Sequence, residues 1–171
     1  MRGFKYRAGP VKPPRISNPY SLAEQAWRQG RLNSAFRLFL SAAKNGDYRA
    51  FETIGYFYDD GVGTKSNKDE ALYWYRRAHR NGSFMAANNV GAIYRDRKDW
   101  KRAVEWFHRA VELGDGDANL NIAKTYLRRT ADAAKALRYL KRTLQAKPSD
   151  VTDGSKQEAR RLLKQLSRKN P

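Results

Sequence analysis

The sequence predicts an all-α chain: a right-handed α-α solenoid of about four helix–turn–helix repeats, closed by a C-terminal capping helix. Three observations carry this reading. The first is an internal repeat, because one motif recurs with Gly46, Gly82, Gly114 and Lys147 at equivalent places, separated by 36, 32 and 33 residues. The second is a set of small and aromatic residues at steps of three and four, the spacing that lines one helical face. The third is the position of the glycines at 46, 82 and 114, just past each second helix, where a left-handed residue ends it.

The first half of the motif reads Ala50-x3-Ile54-Gly55-x2-Tyr58, then Ala86-x3-Val90-Gly91-x2-Tyr94, then Ala118-x3-Ile122-Ala123-x2-Tyr126. The second half reads Ala71-x2-Trp74-Tyr75-x2-Ala78 and Ala103-x2-Trp106-Phe107-x2-Ala110, with Ala136, Tyr139 and Leu140 in the last copy. A degenerate earlier copy keeps Ala35, Leu38, Phe39, Ala42 and Gly46. Small residues at fixed places let two helices approach, and an aromatic of the partner helix fills the space beside them. Each pair leaves an apolar face open, so stacking the pairs is what creates a core.

The expected pairs are 19–30 with 32–44, 47–60 with 68–80, 83–95 with 99–113, and 116–128 with 132–146. Lys147-Pro148 stops the fourth unit, residues 151–155 form a linker, and 156–168 a final amphipathic helix with Ala159, Leu162, Leu163 and Leu166 as its stripe. This helix suits a solenoid cap; the alternative is a basic helix that leaves to bind a membrane or a partner. Residues 1–18, with three prolines and five basic side chains, read as a flexible basic arm. The domain organisation is thus an arm over 1–18, a repeat domain over 19–147, and a linker with capping helix over 148–171.

Composition bounds the function. At 171 residues, 40% hydrophobic and 30% charged, the chain suits one globular domain rather than a disordered polymer. No apolar run approaches the ~20 residues of a membrane span. The N-terminal stretch is basic without an apolar core, so no secretory signal is visible and a cytoplasmic location is expected if this start is native. The absence of cysteine excludes disulfides and thiol chemistry. The net charge of +18 favours acidic protein surfaces, nucleic acid or anionic lipid as partners.

Neither catalysis nor a cofactor is expected. His79 and His108 fall at non-equivalent places of two second helices, lack metal spacing, and are expected to face solvent or line a groove. Asp59-Asp60 precedes the Gly61-Val62-Gly63 loop without the alternating oxygen ligands of a calcium loop, and reads as turn and cap residues.

The repeat resembles the Sel-one-like repeat family, a relative of the tetratricopeptide repeats. The second unit, Ala50-x3-IGYFYDDGVGTKSNKDEALYWYRRAHRNG, is a close match, with Gly61-Val62-Gly63 as the family's glycine loop in shuffled form. The third and fourth units lack that loop and have plain tetratricopeptide length. The resemblance implies a stack whose first helices line a concave binding groove. Counting from the core residues, the groove positions include Tyr20, Trp27, Arg28, Arg49, Glu52, Tyr56, Asn88, Arg95, Lys124 and Arg128, with Leu120 counted among them. Tyr20, Trp27 and Tyr56 are candidate anchors, and the basic residues would attract carboxylates. The same aromatics also suit inter-repeat packing, Trp27 above all.

The function expected from this is a protein–protein interaction scaffold or adaptor for an acidic or mixed-charge partner. Some bacterial proteins of this kind are immunity proteins that neutralise a toxic effector, a narrower expectation resting on the resemblance alone. The rival is a nucleic-acid binder that clamps phosphates with the arm, the basic tail and the convex arginines, among them Arg76, Arg77 and Arg80.

Overall fold

The computed structural model describes residues 18–129 and 132–169. Its described regular structure is entirely helical: α1 Pro19–Arg28, α2 Leu32–Lys44, α3 Arg49–Asp60, α4 Lys68–Arg80, α5 Phe84–Asp96, α6 Trp100–Glu112, α7 Asp117–Arg129, α8 Ala133–Gln145 and α9 Asp153–Lys169. Odd and even helices pair as hairpins, each hairpin packs on the next, and α9 lies against α8 with a lighter contact to α7. This is the nearest-neighbour stacking of a solenoid. The arm expected over 1–18 falls outside the described residues except for Asn18, whose Oδ1 accepts from the Tyr20 amide at 3.0 Å and caps α1 ahead of Pro19.

The three glycines end their helices as the spacing predicts. Gly46, Gly82 and Gly114 take φ of 87°, 88° and 98°. The next amide in each case reaches five residues back, as Asp47 to Ala42, Ser83 to Ala78 and Asp115 to Ala110, which satisfies carbonyls the helix leaves open.

The small positions allow the close approach the motif implies. A Cβ on Gly55 would lie 2.5 Å from the Tyr75 ring, and one on Gly91 2.6 Å from the Phe107 ring. In the fourth unit Ala123 replaces the glycine, and its counterpart across the hairpin is Leu140 rather than a ring, both fully buried. The added methyl on one helix is matched by a smaller side chain on the other.

The glycine loop has its own role. Gly63 takes φ 63°, and a Cβ there would meet the carbonyl oxygen of Leu32 at 2.3 Å, so the loop lies flat on the first turn of α2. Asp59 holds the other side: its backbone oxygen accepts from Ser66 Oγ at 2.9 Å and Lys68 Nζ at 2.8 Å. Asp59 and Asp60 are thus the last two residues of α3 rather than turn residues, and the Asp59 carboxylate pairs with Lys68 at 2.5 Å.

One boundary differs by more than two residues. The last helix begins at Asp153, so 153–155 are helix rather than linker. The Thr152 hydroxyl accepts from the Ser155 amide at 3.2 Å and caps this end, while Asp117 Oδ1 accepts from the Thr152 amide at 2.9 Å. That cap outweighs the presence of Gly154 in the first turn. Ala159 is fully buried, and Leu162, Leu163 and Leu166 pack against the core, so α9 covers the open end of the stack. Among the described residues no helix is long and apolar enough to cross a membrane.

Candidate functional site

The predicted groove residues lie on the first helices, and most of them touch the next first helix along the stack. Between α1 and α3, the Arg49 guanidinium sits 4.4 Å from the centre of the Tyr20 ring. It also grips Asp47 with two bonds of 2.9 and 2.6 Å. The same helices are joined by Trp27 stacked on Tyr56, with centroids 6.3 Å apart and planes at 24°. Between α3 and α5, Glu52 accepts from Ser83 Oγ at 2.6 Å. Between α5 and α7, Asn121 Nδ2 donates to Asn88 Oδ1 at 2.9 Å, and Arg95 donates to Asn121 Oδ1 at 3.3 Å. Lys124 pairs with Glu158 of α9 at 3.8 Å.

This divides the face into two regions. On α5 and α7 the polar groups largely satisfy one another, and Lys124 is engaged by the capping helix. At the α1/α3 end the aromatic pair is open, Trp27 and Tyr56 each being 39% exposed. The packing role expected of Trp27 is also present, since its ring lies 5.8 Å from Phe39 and 5.2 Å from Phe57. Arg28, the next residue in sequence, is highly exposed and makes a 3.8 Å contact with Glu24. Arg128 is exposed at the far end of α7.

The local electrostatics follow from these contacts. Arg49 holds the Asp47 carboxyl below the usual carboxylate range, chiefly through the side-chain hydrogen bond. Burial pushes the Tyr20 hydroxyl up, with the Glu24 charge adding to it and Arg49 opposing. The positive charge predicted for the groove is therefore partly neutralised before any partner arrives.

Two readings need correction. Leu120 does not line the groove; it is 5% exposed and belongs to the core. The histidines do not line the groove and are only partly open to solvent. His79 is half-buried edge-on to Trp106 at 5.1 Å, and His108 lies against Tyr139, its Nε2 3.3 Å from the phenol oxygen. Both therefore sit at joints between successive second helices. The sequence reading also missed Asn121, which bonds to two of the predicted residues. Its signal was a polar residue one place before the core Ile122, equivalent to Asn89 and Thr53.

Burial holds both imidazoles below the usual value of 6.5, helped by Arg109 and Arg80 for His79 and by Arg142 for His108, with Glu112 opposing. The unfolded chain then binds these protons more tightly than the folded one. Stability is expected to be complete above about pH 6.5 and to fall as pH drops through the lowered folded-state values. Urea midpoints measured from about pH 7.5 to 5.5 check this, with His79→Phe/His108→Phe expected to flatten the slope. Asp47, Asp132 and Glu158, whose carboxyls are also lowered, lose their contribution at more acid pH and leave a separate step.

Several arginines of the second helices lie on rings. Arg77 is 4.2 Å from the centre of Phe51, Arg109 4.3 Å from Trp106, and Arg142 5.2 Å from Tyr139. Among the described residues no group of three or more histidines and acidic side chains is placed to hold a metal ion.

Comparison with known proteins agrees with this architecture. The Sel1 repeat model matches residues 32–47, 54–83 and 116–146, and a tetratricopeptide repeat model matches 84–114. Together they cover more than half of the chain. The tetratricopeptide match falls on the third unit, which lacks the glycine loop. A putative sel1-like repeat-containing protein of Acanthamoeba polyphaga mimivirus is 28% identical over 86 residues, 50% of this chain and 16% of that protein. The ERAD-associated E3 ubiquitin-protein ligase component HRD3B of Arabidopsis thaliana is 28% identical over 104 residues, 60% of this chain and 17% of that protein. The chain thus spans about a sixth of the length of these two relatives. Among solved structures, a Sel1 repeat protein from Oxalobacter formigenes superposes with a TM-score of 0.63 at 30% identity, over 74% of this chain and 55% of that one. The protective antigen c5321 of uropathogenic Escherichia coli, with an SLR fold, gives 0.65 at 14% identity over 91% and 39%, a likeness of fold alone.

Proposed function

The chain belongs to the Sel1-like repeat family of the tetratricopeptide-like superfamily, and we propose that it is a protein-interaction scaffold that holds a partner segment on its first-helix face. The observation that carries this reading is the exposed Trp27–Tyr56 stack, with the exposed Arg28 next to Trp27 in sequence. Large rigid aromatics beside an arginine are the composition of interaction hot spots. The partner chemistry that fits is an apolar or aromatic side chain set on the stack, next to a carboxylate for Arg28, a mixed-charge segment rather than a uniformly acidic one. The paired state of Arg49, Arg95 and Lys124 favours that choice. The name of HRD3B, a ligase component, is consistent with a role within assemblies. Neutralisation of a toxic effector is a narrower version of the same proposal and rests on family resemblance alone.

The test is affinity purification of the full chain at moderate salt with nuclease, comparing wild type with Tyr56→Ser/Arg28→Glu. The variant loses the ring stack that joins α1 to α3, a cost of about 1 kcal/mol, and circular dichroism is expected to show it folded. The partner recovered by wild type should bind the variant at least about tenfold more weakly. Recovery of nucleic acid, or of proteins that vanish with nuclease and ignore the variant, would instead support phosphate clamping, which is expected to collapse steeply with salt.

A further inference from the structure

A second site lies on the opposite surface, at the joint between the second and third units. A cleft of about 370 Å³ opens there, lined by Asp69, Leu72, Tyr73, Arg76 and Arg80 of α4, Tyr94 of α5, Arg97 of the following turn and Arg102 of α6. Four guanidiniums thus face one lining carboxylate. Asp69 is held by Arg97 at 2.9 Å, and Arg102 is held from outside the cleft by Asp99 at 3.0 Å. No carboxylate pairs with Arg76 or Arg80 among the described residues. Tyr94, only 5% exposed, forms the floor, and its hydroxyl accepts from Arg76. The Arg102 guanidinium lies 5.2 Å from the centre of the same ring.

The repeat explains why this joint is open. In the preceding joint the glycine loop lies on the first turn of α2, with Gly63 against the Leu32 carbonyl. By the register that aligns Ala35 with Ala71, the corresponding place is Lys68 and Asp69 at the start of α4. The third unit has no glycine loop: three residues, 97–99, connect α5 to α6, with Lys98 in the left-handed region at φ 60°. The start of α4 is left uncovered, and the Arg97 side chain reaches it instead of a backbone loop. The chemistry is also particular to this joint. At the places of Arg76, Tyr94 and Arg102, the first joint has Leu40, Tyr58 and Glu70, and the last has His108, Tyr126 and Lys135.

We propose that this cleft binds the dianion of a phosphomonoester. Arginines can meet phosphate oxygens with paired N–H bonds. Arg76 already occupies a lone pair of the Tyr94 oxygen, so the Tyr94 hydroxyl proton is free to donate in turn. Tyr73, half exposed at the rim, offers a ring face for whatever carries the phosphate. The inference stands independently of the Trp27–Tyr56 face.

Calorimetric titration of the full chain tests it, using inorganic phosphate, O-phospho-L-tyrosine, adenosine 5′-monophosphate and a single-stranded oligodeoxynucleotide without terminal phosphates. Saturable one-to-one binding of the monoesters is expected. It should weaken below about pH 6, where the dianion takes up a proton. Arg80→Glu/Arg97→Glu, at exposed positions, is expected to weaken it by about tenfold or more. Arg138→Glu/Lys141→Glu makes the same charge change on α8 and should alter it by less than about twofold, since only long-range attraction is lost. A preference for the phosphotyrosine points to a peptide source, and a preference for the nucleotide to a nucleotide source. The proposal is overturned if the monoesters fail to saturate, if both variants lose binding equally, or if only the oligonucleotide binds.

Discussion

Phe107→Ala is expected to lower the unfolding free energy by about 3–5 kcal/mol, because the ring is fully buried and neighbours cannot close the space it leaves. The neighbouring glycine makes the prediction sharper. Gly91→Ala alone gains helix propensity of about 1 kcal/mol but drives a methyl into that ring, an overpacking cost of about 1–3 kcal/mol. Combining Gly91→Ala with Phe107→Leu recreates the Ala123 and Leu140 combination of the fourth unit. The double variant is therefore expected to be more stable than the sum of its single changes by about 1 kcal/mol or more. Urea unfolding of the four chains measures this. Additive losses would show that the glycine and the ring are not coupled across the hairpin.

Gly63→Ala is the second large effect. A side chain there suffers a left-handed backbone and a clash with a carbonyl oxygen that belongs to the start of α2 and cannot swing away. A loss of about 2–4 kcal/mol is expected. Gly46→Ala is the matched comparison, since its φ is also left-handed but nothing lies within 4 Å of the added methyl. It should cost only about 1 kcal/mol. Equal losses at the two sites would mean that the loop does not depend on its close seat against α2.

These two positions also mark how far the sequence could be read. The hairpins were legible because each depends on local rules: apolar residues at steps of three and four, a glycine past the second helix, a small residue opposite a ring. The start of α9 was not, because Thr152 caps it while Asp117, 35 residues earlier, holds Thr152 in place. On the candidate face helical periodicity brings Tyr20, Arg49, Trp27 and Tyr56 to the side where α1 and α3 meet. It could not tell which of them another repeat already engages. Lys124 is partnered by α9, Arg49 by the Tyr20 ring of the preceding unit, and Asn88 by the overlooked Asn121. Leu120 was misplaced because the fourth unit turns an additional apolar residue into the core. The histidines were misjudged for the same reason, as the ring each one meets belongs to the next unit. The arginine cleft needed both kinds of knowledge, for the missing loop is visible in the repeat lengths but the space it leaves exists only in the fold.

The central claim, that the first-helix face receives a protein partner on the Trp27–Tyr56 stack, is tested most directly by amide hydrogen exchange on the purified complex. The expected result is slowed exchange concentrated in α1 and α3 on binding, with α6 and α8 unchanged, and a complex that persists after nuclease. Protection confined to the second helices, with α1 and α3 unaltered, would contradict it.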